Sequence, residues 1–121
     1  MNKQYIKGRD FEYRVKEHYE KEGYFVVRSA GSKGIADLVA IYKNNPPKIQ
    51  LLPLIIQCKN MSYKRVPKKE IKRFLGFASK YWCIPVVATK RGRMLVLLEG
   101  EDALRDFLLA KKTFVARRLG E

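Results

Sequence analysis

Cysteine and histidine are scarce in this chain of 121 residues, which contains two cysteines and one histidine. Cys58, Cys83 and His18 do not have the spacing of any usual zinc ligand set, so no zinc site can be assembled from them by the usual spacings. The cysteines are interpreted as two buried free thiols. No apolar stretch approaches the roughly 20 residues of a membrane span, and residues 1–4 lack the apolar core of a signal peptide. These absences predict a cytoplasmic protein that is not secreted, or one inside the host cell if the source is viral.

Acidic residues are also few in comparison with basic ones. The chain has 26 Lys and Arg against 12 Asp and Glu, a formal net charge of +14. This excess is larger than solubility requires, and it predicts a polyanionic partner, in the first place nucleic acid. A structural RNA-binding protein and a membrane-surface protein are weaker alternatives. A hydrophobic content of 46% predicts one globular domain over residues 1–121, with a basic tail at about 111–121.

Residue periodicity predicts the element order α-β-β-β-α-β-β-α. The predicted helices cover residues 7–22, 67–81 and 101–109, and the predicted strands cover residues 24–28, 36–42, 49–59, 84–89 and 94–98. The first helix is expected to bury one face, which carries Phe11, Val15, His18 and Tyr19. Hairpin-linked strands followed by a helical crossover predict an α/β fold, with a central mixed five-stranded sheet flanked by helices.

The third predicted strand is continuously apolar, which favours a position near the centre of the sheet. Pro53 lies inside it and cannot donate a ladder hydrogen bond. We therefore expect either a bulge or a strand that starts near Leu54. Residues 60–65 are polar and basic and are predicted to form a loop.

The candidate catalytic residues are Glu12, Asp37, Gln57 and Lys59. Mg²⁺ prefers hard oxygen ligands, so Asp37 is expected to be the central ligand and Glu12 a direct or water-mediated one. Gln57 offers a neutral amide oxygen, and the backbone carbonyl of Cys58 is a further candidate ligand. Gln57 and Lys59 alternate along a strand, so the ammonium is expected beside the metal. A metal with a neighbouring cation is the equipment for phosphodiester hydrolysis, with Mn²⁺ expected to substitute for Mg²⁺.

Each of these residues also has an ordinary structural reading, since Asp often caps turns and Glu is usually solvated on a helix. Their order supports the functional reading through a resemblance that four segments carry: residues 8–12 (GRDFE), 23–28 (GYFVVR), 29–40 (SAGSKGIADLVA) and 55–59 (IIQCK). In these segments the chain resembles the restriction-endonuclease-like PD-(D/E)xK nucleases. More narrowly, it resembles the archaeal-type Holliday junction resolvases, over about residues 5–100.

The resemblance implies a homodimer that binds four-way DNA junctions by shape, with each subunit cutting one of two opposing strands with Mg²⁺. Glu12, Asp37 and Lys59 stand at the family's catalytic positions, and Ser32 matches a serine position near the scissile phosphate. Gln57 is a departure, because the resolvases carry Glu there. The loss of one negative charge predicts a changed metal affinity or metal preference. Glutamine does occur at this position in related groups such as the Mrr-type restriction enzymes.

Phosphate contacts should dominate the recognition of a DNA junction. The candidate DNA-binding residues are Lys33, Lys64, Arg65, Lys68, Lys69, Lys72 and Arg73, and further basic residues of the tail are Lys111, Lys112, Arg117 and Arg118. Any one of them, taken alone, reads as a solvated surface charge. A dimer face needs exposed apolar area, for which the candidates are Phe74, Phe77, Tyr81 and Trp82, although core packing is the expected fate of each.

The sequence therefore favours a metal-dependent Holliday junction resolvase without a small-molecule cofactor. One alternative is a nuclease of the same fold that cuts duplex or flapped DNA. The other is a non-catalytic DNA-binding module, in which Gln57 marks a decayed site and the basic surface carries the function.

Overall fold

The structure is a computed structural model that describes residues 3–29, 35–43 and 51–110. The helices are α1 (Lys3–Lys21), α2 (Lys68–Ala78) and α3 (Glu101–Leu109), and a short 3₁₀ turn covers Tyr63–Arg65. The strands are β1 (Tyr24–Arg28), β2 (Leu38–Tyr42), β3 (Leu54–Ser62), β4 (Ile84–Arg91) and β5 (Met94–Glu99). The predicted element order is confirmed. Ser32, Lys33 and the basic tail lie outside the described residues.

The five strands form one mixed sheet in the order β1-β2-β3-β4-β5. The pairs β1–β2, β2–β3 and β4–β5 are antiparallel, whereas β3 and β4 run parallel. A parallel pair needs a crossover connection, and here the 3₁₀ turn and α2 provide it. The predicted mixed sheet, with β3 at its centre, is confirmed.

Helix α1 covers one face of the sheet. Phe11, Val15 and Tyr19, spaced four residues apart, are 5%, 0% and 0% exposed and pack on inward side chains of the strands. His18, predicted on the same face, is only partly buried and lies 3.3 Å from Glu22. The helix begins four residues earlier than predicted, at Lys3.

Helices α2 and α3 cover the opposite face. A second hydrophobic core lies between these helices and the sheet, and its buried residues are Val66, Ile71, Phe74, Leu75, Val87 and Leu104. Helix α2 ends at Ala78 and not near Tyr81 as predicted. The Ser79 hydroxyl donates to the carbonyl of Gly76, and a non-helical turn follows. In this turn Tyr81 and Trp82 are 54% and 87% exposed, so the expectation that they pack in the core is wrong, whereas Phe74 is buried as expected.

Strand β3 settles the question raised by Pro53, because the strand starts at Leu54, immediately after the proline. The strand then continues through Ser62, so the loop predicted from residue 60 is wrong for residues 60–62. The pairing of β3 with β4 is regular up to Cys58 and shifts between Cys58 and Ser62. Such an irregularity bends a strand and changes the direction of its side chains. It falls on the residues that follow Gln57.

The cysteines and the helices can be compared with what the composition predicts. Cys58 and Cys83 are free thiols, but both are partly rather than fully buried. Among the described residues, no helix has both the length and the apolar character needed to cross a membrane.

Candidate active site

Asp37 is held in place by backbone hydrogen bonds on both sides. It lies just before β2, and its N–H donates to the carbonyl of Ile56 on β3 at 2.8 Å. Its carbonyl accepts from the N–H of Ser29, at the end of β1, at 2.9 Å. Its carboxylate Oδ2 accepts a 2.7 Å hydrogen bond from the N–H of Cys58. Asp37 is therefore fixed between the end of β1 and the first half of β3, directly before the start of β2.

Burial raises the pKa of Asp37 above its ordinary value, against the opposing effects of the Cys58 N–H and of the positive charges of Lys59 and Arg28. A carboxylate that is costly to ionise in the free protein gains from a cation that neutralises it.

Glu12 projects from α1 beside the buried stripe and forms an ion pair with Arg28 at the end of β1. The distance from Arg28 Nε to Glu12 Oε1 is 2.8 Å, and the two side chains are 14% and 20% exposed. Burial raises the pKa of Glu12, the Arg28 hydrogen bond opposes the shift, and the negative charge of Asp37 adds to it. Glu12 and Asp37 thus lie within electrostatic range of one another, as predicted.

Gln57 contributes an amide whose two ends have different surroundings. Its Nε2 donates to the carbonyl of Ile35 at 3.3 Å, two residues before Asp37. Its Oε1 is buried and has no hydrogen-bond partner among the described residues. A buried oxygen without a donor is unfavourable, and a cation satisfies it. The amide oxygen of Gln57 therefore fits a metal ligand in this structure.

The acid content of the site is low. No group of three or more His, Cys, Asp and Glu side chains is gathered as a metal site in the part of the chain that the structure describes. A metal held by Glu12 and Asp37 depends on neutral oxygens for its other protein ligands, and the candidates are Gln57 Oε1 and the backbone carbonyl of Cys58. Burial raises the pKa of the Cys58 thiol, and the charges of Asp37 and Glu12 raise it further, so this sulfur stays protonated at neutral pH.

Lys59 follows the Cys58 amide that binds Asp37, and its ammonium contacts Oε1 of Glu70 in α2. Its charge also acts on Asp37, as the pKa of that carboxyl shows. The structure thus sets a carboxylate of α2 against the ammonium that was predicted to lie beside the metal site.

The basic residues predicted to contact DNA form an exposed surface along the 3₁₀ turn and α2. All six of them in the described part of the chain are exposed: Lys64, Arg65, Lys68, Lys69, Lys72 and Arg73. Lys68 Nζ donates to the carbonyl of Ala110 at 3.2 Å. The first-turn residues of α2 that carry this surface thus lie in the same helix as Glu70, which contacts Lys59.

Sequence reasoning missed Arg28 and Glu70. Antiparallel pairing sets Arg28 opposite Leu38, the residue after Asp37, so the predicted hairpin contained the signal for Arg28. The signal for Glu70 was weaker, since it is the single acid among six basic residues in residues 63–73.

Comparisons with known proteins agree with this fold. The chain is 37% identical over 100 residues to the crossover junction endodeoxyribonuclease Hjc of Methanocaldococcus jannaschii, an alignment that covers 80% of this chain and 69% of the relative. The fold is similar to that of the Holliday junction resolvase Hjc of Archaeoglobus fulgidus, with a TM-score of 0.53 and 24% identity, covering 78% of this chain and 71% of the other. The profile of the archaeal Holliday junction resolvase (Hjc) family matches residues 3–112. The chain therefore belongs to the archaeal Holliday junction resolvase family.

Proposed function

We propose that this protein is a Holliday junction resolvase, a metal-dependent endonuclease that cuts opposing strands of four-way DNA junctions. The observation that carries the proposal is the buried Asp37 carboxylate, which is held by the Cys58 N–H and lies within electrostatic range of Glu12, in a member of this family. The net charge of +14 supports a nucleic-acid substrate.

The proposed metal is Mg²⁺, with Mn²⁺ as a substitute. Asp37, Glu12 and Gln57 Oε1 would hold it, with the Cys58 carbonyl as a further ligand. When bound, such an ion neutralises phosphate charge and lowers the pKa of a coordinated water. A bound ion would neutralise the two carboxyls whose pKa values burial raises, and it would satisfy the unpartnered amide oxygen.

The side chains around this position have separate proposed roles. The Cys58 N–H fixes Asp37, and Arg28 fixes Glu12. Lys59 supplies a preorganised ammonium that orients the attacking water or stabilises the charge that develops on the phosphate. Ser32, outside the described residues, is proposed to lie near the scissile phosphate.

Junction binding is proposed to use the exposed basic residues of the 3₁₀ turn and α2, together with Lys33. A junction is distinguished by its shape and backbone layout, so phosphate contacts there provide affinity without reading base sequence.

A homodimer with two sites would match the two-fold character of a junction. The exposed Tyr81 and Trp82, at 54% and 87% exposure, are candidates for an apolar contact between copies, because aromatic side chains are enriched at such interfaces. The proposed setting of the reaction is the cell interior, where the DNA is.

The test is cleavage of a labelled four-way junction and a linear duplex of equal length in Mg²⁺, Mn²⁺ or EDTA. We expect paired cuts in the junction that require metal, and none with Asp37→Ala. Cleavage by Asp37→Ala at the wild-type rate would overturn the assignment of a metal-dependent nuclease site at Asp37. Cuts in duplex or flapped DNA in preference to the junction would identify a different nuclease of this fold, and tight binding without cuts in either metal would identify a DNA-binding module.

A further inference from the structure

Glu70 and Lys59 form a contact between the first turn of α2 and the catalytic strand β3. Glu70 Oε1 meets Lys59 Nζ across eleven positions of sequence, and the two side chains are 38% and 18% exposed respectively. The contact is therefore a tertiary one that depends on how the crossover returns to the sheet.

Glu70 stands on the inward side of α2. It precedes Phe74 and Ala78 by four and eight residues, and both of these are buried. Residues four apart on a helix share a face. The spacing explains why Glu70 reaches back toward β3, while its sequence neighbours Lys68 and Lys69 are exposed.

Glu70 carries a charge opposite in sign to the charges of its sequence neighbours. Residues 63–73 contain six basic residues and this one acid. A carboxylate on a surface that binds phosphate weakens the binding unless a cation offsets it. Lys59 offsets it here, and the contact thus joins the basic surface to the site around Asp37.

The contact also restrains Lys59. A lysine ammonium sits on a flexible four-carbon stem and loses rotamer freedom when it is fixed. Lys59 follows the Cys58 amide that is bonded to Asp37, at the start of the irregular part of β3. In that position the backbone alone does not fix the ammonium, and the Glu70 carboxylate adds the second point of attachment.

We infer that Glu70 is a positioning residue, which holds the Lys59 ammonium beside Asp37 through direct contact. This inference rests on the proposed function, and it assigns to an acid of α2 a part in cleavage although that acid binds no metal. Loss of the contact should slow the cleavage step and leave junction binding nearly unchanged.

An acid in the first turn of a helix also stabilises that helix by interacting with the helix dipole. The test therefore needs a control that shares this effect. Glu101 provides it, because it lies in the first turn of α3 and forms an ion pair with Arg105 away from the site. Glu101→Gln removes the same charge from the first turn of another helix.

The experiment compares wild type, Glu70→Gln, Glu70→Asp and Glu101→Gln. For each protein, two quantities are measured: the single-turnover rate of cleavage when all of the junction is bound by protein, and the Kd for the junction. We expect Glu70→Gln to cleave about tenfold to a hundredfold more slowly, with a Kd within about threefold of wild type. Glu70→Asp should recover part of the rate, and Glu101→Gln should match wild type. Glu70→Gln cleaving at the wild-type rate, or Glu101→Gln losing as much, would overturn the inference.

A second measurement needs no activity. In metal-free protein without DNA, the acetylation rate of Lys59 by acetic anhydride is followed by peptide mass. We expect Glu70→Gln to raise that rate severalfold and Glu101→Gln to leave it unchanged; an equal rate in all three proteins would contradict the contact. A wild-type protein that cuts no DNA overturns the proposed function and the cleavage role together, whereas an active wild type with an unimpaired Glu70→Gln overturns the inference alone.

Discussion

Arg28 Nε donates to Glu12 Oε1 at 2.8 Å and thereby joins the end of β1 to α1 at the edge of the site. Neither side chain is more than 20% exposed. Removal of the guanidinium would leave a partly buried carboxylate without its donor, which is the costly way to break such a pair.

Arg28→Gln should therefore lower the free energy of unfolding by about 1–3 kcal/mol, measured by urea titration. The control is Lys16→Gln, which breaks the more exposed Lys16–Glu20 pair of the same helix. It should cost less than about 1 kcal/mol. Equal losses of unfolding free energy in the two variants would mean that the Arg28–Glu12 pair stabilises the protein no more than the more exposed Lys16–Glu20 pair does.

The raised pKa of Asp37 makes a prediction about pH. The folded, metal-free protein binds this proton more tightly than the unfolded chain, so the stabilisation is complete below the ordinary carboxyl range and declines as pH rises through the raised pKa. Asp37→Asn carries no charge and avoids the decline. At pH 7 in EDTA it should melt a few degrees above wild type, whereas Mn²⁺ should raise the Tm of wild type only. A lower Tm for Asp37→Asn in EDTA would contradict this reading.

The orphaned oxygen of Gln57 predicts an order of metal affinities. Gln57→Glu adds a charge to the ligand set, and Gln57→Met removes the oxygen while keeping a similar length. Mn²⁺ affinity, measured by calorimetry, should fall in the order Glu, Gln, Met by roughly tenfold a step, or about 1.4 kcal/mol. If Gln57→Met bound Mn²⁺ as tightly as wild type, the amide oxygen would not be a ligand.

The basic surface of α2 predicts a change in salt dependence. A plot of log K against log salt concentration falls with a negative slope, and each lost phosphate contact makes this slope shallower by about 0.9. The double variant Lys72→Gln/Arg73→Gln should thus make the slope for junction binding shallower by about 2. The matched control neutralises Lys16 and Lys21, which lie on α1 and pair with glutamates of that helix. A slope that falls equally in both proteins would indicate general electrostatics and not a defined surface.

Much of the fold followed from local patterns. The predicted bounds of the last helix, 101–109, are those of α3, because its turn signals and apolar spacing are short-range features. Pro53 marked the start of β3 because a proline has no N–H to donate. The end of β3 was missed, since the strand continues through polar residues whose pairing with β4 depends on tertiary structure.

The candidate site residues were predictable to the extent that they lie in or directly before predicted strands. Asp37, Gln57 and Lys59 were placed from sequence, and the structure brings Asp37 near the Lys59 charge. The partner of Lys59 was not predictable, because Glu70 reaches it only after α2 has crossed over the sheet. Which end of the Gln57 amide stays unpaired depends on the position of the Ile35 carbonyl, a detail that no periodicity encodes.

The position of β1 at the edge of the sheet determines how this protein should fail under stress. Edge strands separate more easily than central ones, and β1 carries Arg28 and leads to the Ser29 N–H that holds Asp37. Its detachment would dismantle the cutting geometry while β2 to β5 stay paired. In rising urea, cleavage should therefore disappear before the far-ultraviolet circular dichroism changes, and coincident transitions would disprove this. In such an enzyme the capacity to cut DNA would then be lost before the fold itself.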